Sequence, residues 1–414
     1  DKEIRSILNK NENGLLIGTS RSGIYEYENG RLRKWNTPVN KLIEEFTLLS
    51  AIKIRDGYFA FGTITNGILI ADSEGNIMQQ IGKKEGLQNN TILSMYADDS
   101  DNLWLGLDNG IDYVETNSPV TYITDYDGFG TGYTARIFNK KLYLGTNQGL
   151  FVKPFEEGSH NKENFKLVGN TTGQVWSLNI FDDQLICGHN VGTFRIEDEN
   201  AFEISGKEGG WTYIRLKDNP EFLLGGHFTG LQLFKLINGE WQFQTNVKGF
   251  DVSSRYLVQD DKGAIWMSHG GIGVFKISLN NELDSVAEYK LYTTDEGLPS
   301  DEQNIIFEFE GEALVSAIDG IYKYDDENDV FVASDELNKL FDFQGRLKTL
   351  KTDSEGNIWF IADKESGVFR INEDLTYTKI TSPFKQLDNK YVNEFEFLYP
   401  YNNNNVFLAI DEGF

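Results

Sequence analysis

The stretch Glu85-Gly86-Leu87-Gln88-Asn89-Asn90-Thr91-Ile92-Leu93-Ser94, followed by Leu103-Trp104-Leu105-Gly106-Leu107-Asp108-Asn109-Gly110-Ile111, decides the fold. An extended run from Ile92 to Tyr96 leads into the polar turn Asp98-Asp99-Ser100-Asp101-Asn102. A short apolar strand follows at Leu103-Trp104-Leu105, then a turn bounded by glycines. Strand-sized apolar runs separated by Gly, Asp and Asn turns read as an antiparallel meander.

The same plan recurs along the whole chain. Its anchor is a small residue after two or three apolar ones, and a glycine with an apolar residue or Thr follows a few positions later. The anchors are Gly18, Gly62, Gly106, Gly145, Gly188, Gly225, Ser268, Ser316, Ile361 and Ala409, which makes ten units spaced by about 43 residues. Third strands alternate, as in Ile24-Tyr25-Glu26-Tyr27 and Ile321-Tyr322-Lys323-Tyr324, and weaker fourth strands end near Trp35, Ile81 or Tyr292. A four-stranded meander at this period is the pattern of a β-propeller blade, so the expected class is all-β. The repeats lack the helical period of an α-solenoid and are too long for a parallel β-helix. Only Lys41–Phe46 and Asp335–Phe341 read as helical turns.

Composition agrees with a turn-rich globular chain. The 414 residues include 41 Gly, 7 Pro, 29 Phe, 19 Tyr and 7 Trp, too aromatic for a disordered acidic tail. Length alone suggests two or three domains. With 64 acidic and 38 basic residues the net charge is −26, which argues against DNA, RNA or an anionic membrane as direct partners. The single cysteine, Cys187, excludes an internal disulfide and reads as a buried small hydrophobe. No run approaches the roughly 20 apolar residues of a membrane span, and no leader pattern stands at Asp1. The segment is therefore expected to be a mature or excised portion of a longer protein, or else cytoplasmic.

The unit around Trp104 resembles the two-component-regulator propeller repeat. Its opening motif, Glu85-Gly86-Leu87, returns as Glu296-Gly297-Leu298-Pro299-Ser300, and its turn returns as Asp353-Ser354-Glu355-Gly356-Asn357-Ile358-Trp359. An Asp precedes a Trp by six residues at Asp98/Trp104, Asp260/Trp266 and Asp353/Trp359. The run Gly132-Tyr133-Thr134-Ala135 through Leu144-Gly145-Thr146-Asn147-Gln148-Gly149-Leu150-Phe151 is similar, more narrowly, to sensors of Bacteroidetes regulators with a triple-tyrosine domain. The resemblance implies a periplasmic sensor segment of a membrane-anchored regulator. A Tyr-rich domain, a membrane span and a histidine kinase or LuxR-type DNA-binding module would follow it. It also implies paired seven-bladed propellers. Residues 127–414 are accordingly expected to form one seven-bladed propeller, and residues 1–126 three blades of a preceding one. Gly128-Phe129-Gly130-Thr131-Gly132 would be the hinge, and a break near Asn280 is the competing partition.

In a propeller the starts of the inner strands and the turns between second and third strands share one face. The inner-strand starts of units four to seven carry Arg136, Trp176, Trp211, Tyr213 and Arg255. His189, His227 and His269 follow the anchors of units five, six and seven. These eight residues are the candidate ligand face, with aromatic rings stacking on sugars and His or Arg bonding hydroxyls or a carboxylate. They also have a purely structural reading, with the tryptophans in the core and the histidines in turns. Side chains on adjacent blades are too widely spaced to share a zinc ion, so neither a metal nor a cofactor is expected.

Enzyme readings find little support. Only Asp261-Lys262-Gly263 has sialidase Asp-box spacing, and eleven arginines along the chain define no triad. With 64 carboxylates, acid/base pairs arise by chance. No nucleotide-binding, zinc-protease or serine-hydrolase motif occurs. The acidic run Asp325-Asp326-Glu327-Asn328-Asp329 lacks calcium-loop spacing. The leading expectation is a non-enzymatic sensor domain that binds an oligosaccharide, a ligand class implied by the resemblance alone. Occupancy would be transmitted by rigid-body movement or through a homodimer, and the membrane would be met only through downstream regions. A protein-interaction scaffold and an extracellular carbohydrate-active enzyme are the alternatives.

Overall fold

The computed structural model describes residues 3–55, 57–116, 118–124, 128–157, 164–343 and 345–414. Ten antiparallel sheets, here I to X, follow one another along the described chain. Eight have four strands in sequential order, sheet III has three and sheet X has two. The chain is an all-β propeller. The two segments read as helical turns are α1, Pro38–Phe46, and α2, Asp335–Phe341. Ser334 caps α2 by accepting from the Leu337 amide.

Contacts divide the chain into two compact units, Asp1–Tyr122 and Ile123–Phe414. The division expected between 126 and 127 lies outside the described residues. The first unit holds sheets I to III, which begin with strands Ile4–Asn9, Leu48–Arg55 and Ile92–Ala97. The second holds sheets IV to X. Their first strands are Gly132–Phe138, Val175–Phe181, Thr212–Arg215, Tyr256–Gln259, Ile305–Phe309, Leu347–Thr352 and Leu398–Pro400. Each of these touches the next, and the last touches the first, so the seven sheets close a cycle. Three backbone contacts seal it. Ile123 and Phe414 exchange hydrogen bonds of 2.7 and 3.0 Å, and the Gly132 amide donates to the Ile410 carbonyl at 3.1 Å. Phe129, in the stretch read as a hinge, is fully buried among Leu142, Leu144 and Phe414.

The anchor positions show what holds neighbouring sheets together. A Cβ on Gly145 would lie 2.6 Å from Val175 Cγ1, and one on Gly188 would lie 2.3 Å from the Gly210 carbonyl oxygen. In sheet VI the close approach falls one residue after the expected anchor Gly225, at Gly226, where a Cβ would lie 1.9 Å from the Ser254 carbonyl oxygen. In each case the obstacle belongs to the segment that starts the next sheet's first strand. Where the anchor is Ser268, its hydroxyl accepts from the Ile306 amide at 3.0 Å instead. At these positions the second strand presents a small residue because the next first strand passes directly over it, whereas the expected anchor Ile361 buries a full side chain and departs from the rule.

The Asp-to-Trp spacing also has a physical cause. Asp260 Oδ1 accepts from the amides of Lys262 and Ala264, and Oδ2 accepts from Trp266 Nε1 at 2.8 Å. Asp353 repeats this with Glu355, Asn357 and Trp359, the last at 2.9 Å. One carboxylate thus closes the turn and satisfies a buried indole. Burial pushes the Asp353 carboxyl up, but the Trp359, Asn357 and turn bonds outweigh it and leave it below the ordinary range. At Asp98 the second oxygen accepts from Tyr113 Oη, while Trp104 is 47% exposed on the face of sheet III.

Two stability outcomes follow. Gly226→Ala should lower the urea unfolding free energy by about 2–3 kcal/mol. Gly270→Ala, with nothing within 4 Å of the added Cβ, should change it by less than about 0.5 kcal/mol. Asp260→Ala should cost about 2–4 kcal/mol, because it strands a buried indole N–H and two turn amides. Asp98→Ala should cost distinctly less, because Trp104 is already half open to water.

Candidate functional site

In sheets IV to X the residues that start the first strands converge at one end of the cycle. Trp176 and Trp211, from sheets V and VI, stack with ring centroids 4.0 Å apart and planes 21° apart. Phe228, in the turn between second and third strands of sheet VI, lies 5.2 Å from both and is 40% exposed. Phe395 reaches the cluster from the segment before sheet X, 6.3 Å from Trp211 and 4.8 Å from Tyr133. Arg255 places its guanidinium carbon 4.2 Å from the Phe395 ring, 5.1 Å from Trp211 and 5.2 Å from Tyr256. This aromatic mouth, built around one arginine, is the candidate site.

A charged cluster borders it. Arg346 is buried; it donates to the Gln303 carbonyl at 2.6 Å and to Glu394 at 3.1 Å. Lys348 contacts Glu394 at 3.0 Å, Asp363 at 3.5 Å and Glu396 at 3.6 Å. Burial raises the Glu394 carboxyl, but Lys348 and Arg346 outweigh it and hold it below its usual range. The indole N–H groups of Trp176 and Trp211, Arg346 Nε and Asn304 Oδ1 are buried without a hydrogen-bond partner.

The eight residues expected at the face do not all reach it. Trp176, Trp211 and Arg255 come together. Arg136 sits mid-strand, donating to the Leu178 carbonyl at 3.3 Å and lying 4.5 Å over the Tyr399 ring, so it ties sheet IV to the sheets on both sides. Tyr213 is buried, its hydroxyl 2.6 Å from Thr193 Oγ1, and burial pushes its ionisation upward. His189 is also buried. Its Nδ1 accepts from the Val191 amide, so Nε2 carries the proton and donates to the Thr171 carbonyl at 3.2 Å. His269 Nδ1 likewise accepts from the Gly271 amide. Their periodicity reflects a turn that uses imidazole as an acceptor.

His227 differs: it is fully buried, edge-on to Tyr213 at 6.2 Å, and the backbone at Lys207 and Glu208 opposes the effect of burial only weakly. Burial first, and the Lys207 charge second, pull it down to about 4. Tyr133, Tyr256 and Arg346 were missed although they follow the same inner-strand rule. Phe395 precedes a sheet whose repeat is too weak to flag it.

Two further observations bound the site. Among the described residues no three His, Cys, Asp or Glu side chains gather so as to hold a metal ion. A cavity of about 330 Å³ opens near Phe138, Tyr143, Arg195 and Glu240, at the end of the sheets away from the mouth, and contains none of the eight residues. In it Arg195 is tied to Glu197 at 2.6 Å and to Glu240 at 2.9 Å.

The burial of His227 has a consequence for pH. Its folded-state value of about 4 lies below the ordinary 6.5, so folding favours the neutral ring. Stability should be fully present above pH 6.5 and fall as pH drops toward 4, by at most about 3 kcal/mol. In His227→Phe, urea midpoints measured across that window should lose a large part of this decline.

Comparison with known proteins places this geometry. Residues 86–109 match the family model described as "Two component regulator propeller". No curated protein matches the chain. Among solved structures, the extracellular domain of the putative hybrid two component system BT3049 from B. thetaiotaomicron aligns at 15% identity and TM-score 0.61. The alignment covers 99% of this chain and 60% of that one. The corresponding domain of BT4673 from the same organism aligns at 16% identity and TM-score 0.47, covering 91% and 54%. A virginiamycin B lyase from Staphylococcus aureus aligns at 9% identity and TM-score 0.44, covering 70% and 94%. This chain thus spans less than two thirds of the length of the two sensor structures. No helix among the described residues is long and apolar enough to cross a membrane. The chain is a β-propeller in which residues 86–109 match the two-component-regulator propeller repeat.

Proposed function

We propose that this chain is the ligand-sensing, non-enzymatic propeller portion of an extracellular, periplasmically exposed regulator, and that its mouth binds an oligosaccharide. The observation that carries this reading is the grouping of Trp176, Trp211, Phe228, Phe395 and Tyr133 around Arg255 at one end of the cycle. Aromatic faces stack on the apolar faces of sugar rings, while the arginine supplies directed donors. The structural likeness to BT3049 supports the sensor setting, since that protein is itself described as an extracellular domain of a two-component system. In this reading residues 127–414 form one seven-bladed propeller and residues 1–126 are three blades of a preceding one. Occupancy is passed on by rigid-body movement or by pairing of two copies.

A second reading, docking of another polypeptide, draws on one specific feature. Val191, Phe228, Ile272 and Ile318 are exposed in the second-to-third-strand turns of four consecutive sheets. Such an arc suits a protein partner as well as it suits a glycan rim.

The readings separate in a thermal-shift screen of the purified chain against an oligosaccharide library. The expected result is a stabilising hit that Trp211→Ala and Phe228→Ala each weaken by ~30-fold or more in Kd, with the far-UV spectrum unchanged. A hit that both variants retain unaltered would remove the mouth from consideration. Turnover of the glycan would overturn the non-enzymatic reading.

A further inference from the structure

We propose that the ligand of this mouth carries an acid group, carboxylate or sulfate, which seats on Arg255; the inference rests on the reading of the mouth as a carbohydrate site and narrows its ligand class. Arg255 makes no ion pair or hydrogen bond among the described residues, although the chain holds 64 carboxylates. Phe395, Trp211 and Tyr256 gather around its guanidinium. Aromatic contact of this kind engages the π-faces of a planar cation and leaves its in-plane N–H groups to an outside acceptor. A half-buried guanidinium with free donors is costly unless something meets them.

The neighbouring carboxylates are already committed. Glu394 is held by Arg346 at 3.1 Å and Lys348 at 3.0 Å, and Glu396 lies 3.6 Å from Lys348. Arg346 and Lys348 face Glu394, Glu396 and also Asp363, 3.5 Å from Lys348, and none of these carboxylates ion-pairs with Arg255. Among the described residues Arg255 has no ion-pair partner, in a chain of net charge −26. Of the four unpartnered atoms named at the mouth and its border, three point the same way. Trp176 Nε1, Trp211 Nε1 and Arg346 Nε are donors, and Asn304 Oδ1 is the one acceptor among these unpartnered atoms at the mouth. A neutral sugar hydroxyl donates and accepts alike, whereas a carboxylate or sulfate only accepts. A donor surplus around a fixed guanidinium selects the acceptor-only group, and the planar fork favours a bidentate oxyanion.

The test uses matched pairs. Oligosaccharides from pectin, alginate and glycosaminoglycans are titrated calorimetrically against the chain, each beside its carboxyl-reduced or desulfated counterpart. The expected result is an acid-bearing oligosaccharide that binds at least 10-fold more tightly than its neutral counterpart. Arg255→Gln should abolish that preference, and Arg255→Lys, which keeps charge but not the fork, should recover part of it. Loss on carboxyl reduction assigns a uronate, and loss on desulfation assigns a sulfate ester. Equal binding of both members of a pair, with Trp211→Ala still abolishing it, would overturn the acid assignment and leave the carbohydrate mouth standing. Binding that Trp211→Ala does not affect, or no binding by any pair, would overturn both.

Discussion

The structure depends on one close approach between neighbouring sheets: at Gly145, Gly188 and Gly226 a second-strand residue with no room for a side chain lies under the start of the next sheet's first strand. At Gly226 the neighbouring carbonyl oxygen lies where a Cβ would sit, and at Gly188 it is nearly as close. Backbone-to-backbone contact of this kind sets the distance between sheets. The larger apolar residues then fill the wedge toward the rim, as Val175, Leu185, Phe194 and Ile196 do between sheets IV and V. Packing at close to crystalline density leaves little tolerance for an added methyl group at that point. The cycle closes by another close approach, here at the start of a first strand: a Cβ on Gly132 would meet the Gly413 carbonyl oxygen at 2.2 Å.

That approach also makes the site. When first strands are drawn together at their starts, the residues just before them become neighbours. Tyr133, Trp176, Trp211, Arg255, Arg346 and Phe395 are therefore gathered at one mouth from across more than 260 positions of sequence. Each contributes one side chain from the start of a first strand or from the residues just before it. A ligand spanning the mouth would touch several sheets at once, which suits a sensor whose output is a change in how sheets or copies sit together.

Much of this was legible before any coordinates. The period of the anchors announced a meander repeated along the chain, and the Asp-to-Trp spacing of six is a hydrogen bond from indole to turn carboxylate at Asp260/Trp266 and Asp353/Trp359, though not at Asp98/Trp104. The histidines were harder. Equal spacing in three units suggested a shared ligand role, yet His189 and His269 accept from the amide two residues on, a local turn function that yields the same periodicity. Tyr213 lies two residues beyond Trp211, inside the strand, where its ring is buried against Phe234 and its hydroxyl meets Thr193 Oγ1. Arg136 lies farther along its strand and braces three sheets instead.

What the sequence by itself determined is the repeat: strand lengths, turn chemistry and the small residue at each anchor are all local, and each is dictated within about 43 residues. What only the tertiary structure decided is which side chains meet. The convergence of Trp176 on Trp211, the arrival of Phe395 from the far end of the cycle, and the absence of a counter-ion at Arg255 depend on closure. Closure is a property of how the sheets pack against one another, and no single unit encodes it.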